Sequence, residues 1–276
     1  MLVDYHVHTP YCGHAHGKIV QYVDRAIELG MEEIGFADHL GRYYLTHVQK
    51  RRFWDWGMNE RNIGRYYAEL AELRDLYSDR IRIKIGLEVD FIEGADELLA
   101  PFLDNFDFDF TLASIHCLPR FGWSHLSEYR NHHPVEVVSE YFRCAAAALR
   151  SRKFSSIAHP DFIWRYMRIP DDEAAAFYER EIDGLVREAA DCDGCIEINA
   201  NGYVWSGDHT SDRPDLFVML LEKIRTHRIP VTIGSDAHDP RMVGKAYDDL
   251  IPVLHSWGIK NCAVFTEGKR QLVPLG

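Results

Sequence analysis

Long apolar runs are missing from the sequence. Its apolar stretches are short and interrupted, and none approaches the roughly 20 residues that a membrane-spanning helix needs. Met1 leads directly into a strand-like segment, so we expect no signal peptide. These absences predict a cytoplasmic protein with no membrane partner.

Cysteine is also scarce. The chain of 276 residues has six cysteines at irregular spacings, which does not suggest the disulfide framework of a secreted protein. Cys192 and Cys195 have the C-x-x-C spacing of redox and zinc sites, but no second pair completes such a site. We therefore expect reduced thiols at Cys12, Cys117, Cys144, Cys192, Cys195 and Cys262.

Positive charge is in deficit. The chain has 43 acidic and 31 basic residues, for a formal net charge of −12, so its average surface repels a polyphosphate backbone. Small phosphorylated substrates therefore fit better than duplex nucleic acid. Four basic residues in one long connection keep a nucleotide or oligonucleotide open as the alternative: Lys50, Arg51, Arg52 and Arg61.

No Gly-rich phosphate loop follows the first apolar run, which removes the main support for a dinucleotide-binding sheet. Short β-branched runs instead alternate with helical patterns, which predicts a parallel sheet of βα units in one α/β domain over residues 1–276. This alternation fits a closed barrel or an open sheet. The seven expected strands are Leu2–His8, Glu33–His39, Arg82–Asp90, Phe108–His116, Phe154–Pro160, Gly194–Ala200 and Pro230–His238. The expected helices are Lys18–Leu29, Asn62–Tyr77, Pro134–Ser151, Asp172–Ala190 and Asp215–Thr226.

Two connections are unusually long. Gly41–Arg61 is rich in Trp, Tyr and Arg, and Leu118–His133 contains three histidines. Long loops in compact domains are usually functional or disordered, and the aromatic content of these favours an ordered lid.

Histidine is abundant, with 15 residues, and it collects where the expected strands end. The carboxyl ends of parallel strands share one face, so these side chains should meet there. In His6-Val7-His8 and Asp236-Ala237-His238 the two outer side chains lie on the same side of the strand, because strand side chains alternate. The candidate donors on this face are His6, His8, Asp38, His39, Glu88, His116, His159, Asp236 and His238.

These donor types indicate a metal centre. A single histidine at a strand end is most often a structural residue, but buried carboxylates such as Glu88 and Asp236 are costly unless they are paired or bind metal. Imidazole and carboxylate donors suit zinc, manganese or iron. Nine donors exceed the three or four protein ligands of a catalytic zinc, so two or three divalent ions are expected.

Six motifs resemble the polymerase-and-histidinol-phosphatase (PHP) superfamily, and within it the histidinol-phosphate phosphatase branch. They are His6-Val7-His8, Thr9-Pro10-Tyr11-Cys12-Gly13-His14-Ala15, Gly86-Leu87-Glu88-Val89-Asp90, Ser114-Ile115-His116, Ala158-His159-Pro160 and Asp236-Ala237-His238. The resemblance implies a distorted seven-stranded β/α barrel with a trinuclear metal site at the C-terminal ends of the strands. It assigns one ion to His6, His8, Glu88 and Asp236, a second to Glu88, His116 and His159, and a third to His14, His39 and His238, with His16 as the alternative to His14.

The implied reaction is hydrolysis of L-histidinol phosphate to L-histidinol and phosphate, in histidine biosynthesis, by a hydroxide that bridges two ions. Another small phosphate ester is the runner-up. A non-catalytic metal-binding domain is disfavoured because the donors are intact. A mononuclear amidohydrolase-type barrel is disfavoured because no lysine ends any of the seven runs.

Other residues complete the expected site. Asp38 and Asn199 are expected in catalysis or in support of the ligands, and Arg120 and Arg165 in contact with phosphate. The sequence departs from the branch at Glu197–Tyr203, where the usual basic continuation is missing. Tyr203 or the segment Gly41–Arg61 is expected to replace that contact.

Overall fold

The computed structural model describes residues 1–52, 57–122, 125–167, 169, 171–206 and 215–276. Seven parallel strands form one sheet in chain order, each paired with the next. The segment after the last strand returns to the first, where the His8 N–H donates to the Ala237 carbonyl at 2.9 Å, so the sheet is nearly closed into a barrel. The strands are β1 Val3–Val7, β2 Glu33–Leu40, β3 Arg82–Asp90, β4 Phe110–Ser114, β5 Ser156–Ile157, β6 Ile196–Asn199 and β7 Val231–Gly234.

Helices in the connections cover this barrel. Their ends follow local chemistry: Pro134 occupies the first turn of α5, where its missing N–H costs nothing, and the Asp215 carboxylate accepts the Val218 N–H to cap α8. The helices are α1 Ile19–Glu28, α2 His47–Arg52, α3 Ile63–Leu76, α4 Asp96–Leu103, α5 Pro134–Ser151, α6 Asp171–Asp191, α7 Ala200–Ser206, α8 Leu216–His227 and α9 Tyr247–Ser256. None of these helices is long and apolar enough to cross a membrane.

The seven strands and five helices expected from the sequence are present. The strands β4, β5 and β7 are shorter than expected, because the chain leaves the ladder before His116, His159 and Asp236 and turns those residues towards the mouth of the barrel. The helices α2, α4, α7 and α9 were not expected. All six cysteines are free thiols, as predicted.

A hairpin of β8 Asn261–Thr266 and β9 Lys269–Pro274, also not expected, covers the amino-terminal end of the barrel. The Phe265 ring packs against Tyr5 at 5.7 Å, and the Phe265 N–H donates to the Tyr5 hydroxyl at 2.9 Å. Near the start of β3, the Lys84 ammonium donates to the Thr266 hydroxyl. The metal-type donors lie at the opposite end, where the strands finish.

Candidate metal centre

The structure brings the nine metal ligands implied by the family resemblance, which include His14, together at the C-terminal mouth of the barrel. Glu88 is at their centre: it is completely buried on β3, and five imidazoles surround its two oxygens. The contacts to the Glu88 carboxylate are His39 Nδ1 at 2.6 Å, His159 Nε2 at 2.8 Å, His116 Nε2 at 3.4 Å, His6 Nε2 at 3.6 Å and His8 Nε2 at 3.8 Å.

Asp236, just after β7, is at the centre of a second group of donors. Its backbone has a φ of +56°, in the left-handed region, which turns the side chain back over β1. Its Oδ1 lies 2.9 Å from His8 Nε2 and 3.7 Å from His6 Nε2. His6, His8 and Asp236 therefore offer three donor atoms within 4.8 Å of one another.

A third group lies towards solvent. His14 Nε2 is 3.0 Å from His238 Nε2, and the His238 ring stacks on His8 with centroids 3.9 Å apart. His8, His39 and His238 also place donor atoms within 4.8 Å of one another. His16 contacts His238 through its backbone N–H, which donates to the His238 carbonyl at 2.8 Å. This places the His14 ring, rather than its alternative, against His238.

The clustered side chains shift one another's pKa values. Burial by itself would raise the pKa of Glu88, but the imidazoles of His39, His116 and His6 hold it well below its usual value. Burial likewise opposes the charge on His116, yet Glu88 and Asp90 raise the pKa of His116 to about 9. Burial, together with the neighbouring His238 and His39, lowers the pKa of His8 well below its usual value.

The donors fit bound cations. Within the described ranges, the buried Nε2 of His6 has no hydrogen-bond partner, although it lies 3.6 Å from Glu88 Oε2. Buried polar atoms are almost always satisfied, and packed imidazoles repel one another once they are protonated. A cation between the imidazole and carboxylate donors would satisfy both requirements.

Carboxylates lie behind three of the ligands. Asp38 Oδ1 is 3.5 Å from His8 Nδ1, which has no hydrogen-bond partner among the described residues. Glu197 Oε1 and Asp90 Oδ1 are closer to their partners, 2.7 Å from His6 Nδ1 and 2.6 Å from His116 Nδ1. Such partners fix the tautomer and orientation of a metal-binding histidine, so that Nε2 faces the ion. Glu197 and Asp90 were not among the predicted site residues. Both lie in apolar runs of the sequence that predict buried strands. This position could have identified them as site residues, because a buried carboxylate needs a partner.

Asp38 and Asn199, predicted in catalysis, take supporting positions. Asp38 is buried, accepts the Thr9 hydroxyl and the His39 N–H, and has its pKa raised by burial to about 6. Asn199 is also buried, and its side-chain oxygen accepts the Asn201 N–H at the start of α7. Asn201 is among the described residues that line the cavity and Asn199 is not, so a catalytic role of Asn199 stays a prediction.

A cavity of about 390 Å³ opens beside the donors. Arg165 lines it, with its guanidinium 5.4 Å from the centre of the Tyr166 ring. The aromatic part of the wall, which the sequence analysis missed, consists of His125, Phe162 and Tyr166. Burial lowers the pKa of His125 to about 4, with the charge of His116 acting in the same direction, so this ring is neutral at physiological pH.

Two residues predicted to contact the substrate, Arg120 and Tyr203, lie away from the described lining of the cavity. The Arg120 side chain is 65% exposed, lies 3.9 Å from Glu140 and packs against the Phe121 ring. Tyr203 packs on Phe217 with ring centroids 5.5 Å apart. Neither is among the described residues that line the cavity, because the turn after β4 and the helix α7 direct them to neighbouring helices.

The long connections do not supply cavity-lining cations in their described parts. Lys50 forms an ion pair with Glu60 at 2.5 Å, and Arg51 and Arg61 are exposed. The predicted lids Gly41–Arg61 and Leu118–His133 fall partly on residues 53–56 and 123–124, which are outside the described residues.

A nearly closed parallel β/α barrel, with clustered histidines and carboxylates at its strand ends, defines the class of metal-dependent hydrolases built on such barrels. The chain belongs to the PHP domain family, whose model matches residues 4–201, and a PHP-associated model matches residues 221–250.

Relatives and solved structures agree with this assignment. A probable histidinol-phosphatase of Deinococcus radiodurans is 27% identical, covering 93% of this chain and 94% of the relative. The histidinol-phosphatase of Bacillus subtilis is 26% identical, covering 90% and 97%. The crystal structure of the Lactococcus lactis histidinol phosphate phosphatase, complexed with zinc, L-histidinol and phosphate, shares the fold. Its TM-score is 0.79 at 22% identity over 98% of each chain.

Proposed function

We propose that this protein is a metal-dependent phosphomonoesterase that hydrolyses L-histidinol phosphate to L-histidinol and phosphate, in histidine biosynthesis in the cytoplasm. The observation that carries the proposal is the ring of imidazoles around Glu88, beside a cavity whose described lining includes Arg165. The names of relatives that match over nearly their whole length support this ester as the substrate.

Two or three divalent ions (zinc, manganese or iron) would occupy the centre, held by the nine donors in the three groups described above. When bound, such ions acidify a water for attack on phosphorus and neutralise the charge that grows on the phosphoryl oxygens. Glu197 and Asp90 hold the His6 and His116 rings in place, and Asp38 accepts the backbone N–H of His39. Asn201 donates to Asp236 Oδ2 at 3.4 Å and so restrains that carboxylate.

Different residues of the cavity wall suit the phosphate group and the alcohol group of the ester. Arg165 is the proposed phosphate contact, because a guanidinium can donate two parallel hydrogen bonds to phosphoryl oxygens. His125, Phe162 and Tyr166 form an aromatic surface on which the planar ring of the alcohol can stack. A small phosphomonoester suits a cavity of about 390 Å³ better than a long nucleic acid does.

Phosphate release tests the proposal. Purified protein loaded with zinc or manganese is assayed against histidinol phosphate, aryl phosphates, nucleotides and short oligonucleotides, with the His8→Ala variant alongside. We expect the highest kcat/KM on histidinol phosphate and loss of turnover in the variant. Preference for another ester would support the runner-up substrate, and no turnover on any ester would support a non-catalytic domain.

A pair of arginine variants tests the phosphate contact. Arg165→Ala should lower kcat/KM by about 10- to 100-fold, the value of a charge-assisted hydrogen bond of roughly 1.5–3 kcal/mol. Arg120→Ala is the matched control, because that side chain faces Glu140 and solvent. Equal losses in both variants would contradict the assignment of Arg165.

A further inference from the structure

The segment that follows β2 begins by folding against the support of the metal centre. Tyr43 and Tyr44 come shortly after the end of β2, and both hydroxyls reach Asp90, the last residue of β3. Tyr43 donates to the Asp90 backbone carbonyl at 2.8 Å. Tyr44 donates to the carboxylate itself, at Oδ2 and 3.0 Å. The two neighbouring tyrosines therefore bind different parts of one residue.

The Asp90 carboxylate that Tyr44 contacts is also hydrogen-bonded to His116, a proposed metal ligand. Its other oxygen, Oδ1, accepts the Nδ1–H of His116 at 2.6 Å, and the His116 Nε2 then lies 3.4 Å from Glu88 Oε1. Asp90 is only 1% exposed and His116 only 7%. Because few waters can replace a lost partner in such surroundings, the Tyr44 hydroxyl restrains the plane of the carboxylate on which His116 rests.

A second contact holds Tyr44 in the same place. Its oxygen lies 3.2 Å from the sulfur of Cys117, the residue that directly follows His116. With its own hydrogen donated to Asp90, the tyrosine oxygen can accept the thiol hydrogen of Cys117. Tyr44 thus contacts both the carboxylate that orients His116 and the chain that carries it.

We propose that Tyr44 is a positioning residue for the metal centre, acting through Asp90 on His116. The proposal rests on the metal-dependent function argued above. It assigns to the start of the Gly41–Arg61 segment a role in orienting a metal ligand. The start of this segment contacts the support of one ligand, whereas its aromatic composition favoured an ordered lid.

Zinc affinity of the folded protein tests the proposal. Wild type, Tyr44→Phe and Tyr43→Phe are titrated with zinc against a chromogenic chelator, and their metal-free thermal stability is compared. Removal of a direct outer-shell partner costs roughly 10- to 100-fold in metal affinity. We expect Tyr44→Phe, one bond further out, to weaken one zinc equivalent by about 3- to 10-fold, with Tyr43→Phe unchanged. If Tyr44→Phe does not fold, Asp90→Asn takes its place, with an expected loss of about 10- to 100-fold.

Equal affinities in all three proteins, or equal losses in both tyrosine variants, would overturn the proposal. A wild-type protein that binds no zinc would overturn it together with the metal centre. Zinc binding without turnover on any ester would remove the proposed function but leave the effect of Tyr44 on affinity to be judged by the same titration.

Discussion

Glu197 supports two ligands with one buried carboxylate. One oxygen lies 2.7 Å from His6 Nδ1, and the other accepts the His159 N–H at 2.6 Å. We expect Glu197→Gln to keep the second hydrogen bond but to weaken zinc binding by about tenfold or more, because His6 loses its charged partner. Glu33→Gln is the control, because Glu33 is also buried but contacts Tyr5 near the start of β2. Chelator competition measures both variants, and similar affinities would contradict this role of Glu197.

The pKa of His116 predicts how the metal-free protein responds to pH. Its folded-state pKa is about 9, above the ordinary value of 6.5. The stabilisation it contributes is therefore complete below pH 6.5 and is lost as the pH rises through 9. We expect the free energy of unfolding to fall over this interval, and to fall less in His116→Gln. Urea denaturation of both metal-free proteins measures this, and parallel pH curves would refute the prediction.

At the residue scale, the sequence predicted which histidines and carboxylates lie together better than which arginine lines the cavity. His6, Glu88 and Asp236 could be found because strand ends converge whatever the loops do. Arg120 and Arg165 looked equivalent in the sequence, since each follows a histidine at a strand end. Their positions differ because the turn after β4 points Arg120 towards Glu140, and such turns are set by tertiary packing rather than by local pattern.

At the scale of elements, α7 packs closely against the segment after β5, where Gly202 of α7 lies against Asp161. A Cβ at Gly202 would overlap the Asp161 carboxylate, which is buried and has its pKa raised by that burial to about 7. We expect Gly202→Ala to displace α7 and Asn201, and so to lower both thermal stability and turnover. Gly184→Ala in α6 is the matched control, because nothing lies within 4 Å of its Cβ position.

The two glycine variants should move stability in opposite directions. In the open position of Gly184, alanine should stabilise the helix by up to about 1 kcal/mol. Differential scanning calorimetry of the two proteins measures the contrast. A Gly202→Ala protein as stable and active as Gly184→Ala would show that Asp161 moves aside without cost.

Element prediction succeeded where the chain repeats βα units and failed where it departs from them. The long periodic helices α1, α3, α5, α6 and α8 were found to within a residue or two. The short helix α7 was missed because it starts directly at the end of β6, inside what looked like a strand run. The β8–β9 hairpin was missed because its antiparallel strands follow the last βα unit.

At the scale of the whole molecule, the family match and the order of the seven strands confirm the predicted barrel. One domain over residues 1–276 stays a prediction. It is consistent with the hairpin bonding back to the first residue: the Met1 amino group donates to the Pro274 carbonyl at 2.6 Å. The hairpin and the metal-type donors therefore lie at opposite ends of the barrel.

The importance of the hairpin can be tested at Phe265, which is 1% exposed, packs edge-to-face against Tyr5 and stacks on Phe110. Phe265→Ala should cost about 3–5 kcal/mol of unfolding free energy, because it leaves a cavity among aromatic rings. Leu272→Ala on β9 is the control: Leu272 is 53% exposed, so its truncation should change stability by about 0.5 kcal/mol or less. Zinc stoichiometry should be unchanged in both folded variants, because the donors lie at the other end of the strands. Loss of zinc from folded Phe265→Ala would show instead that the hairpin and the metal centre form one cooperative unit.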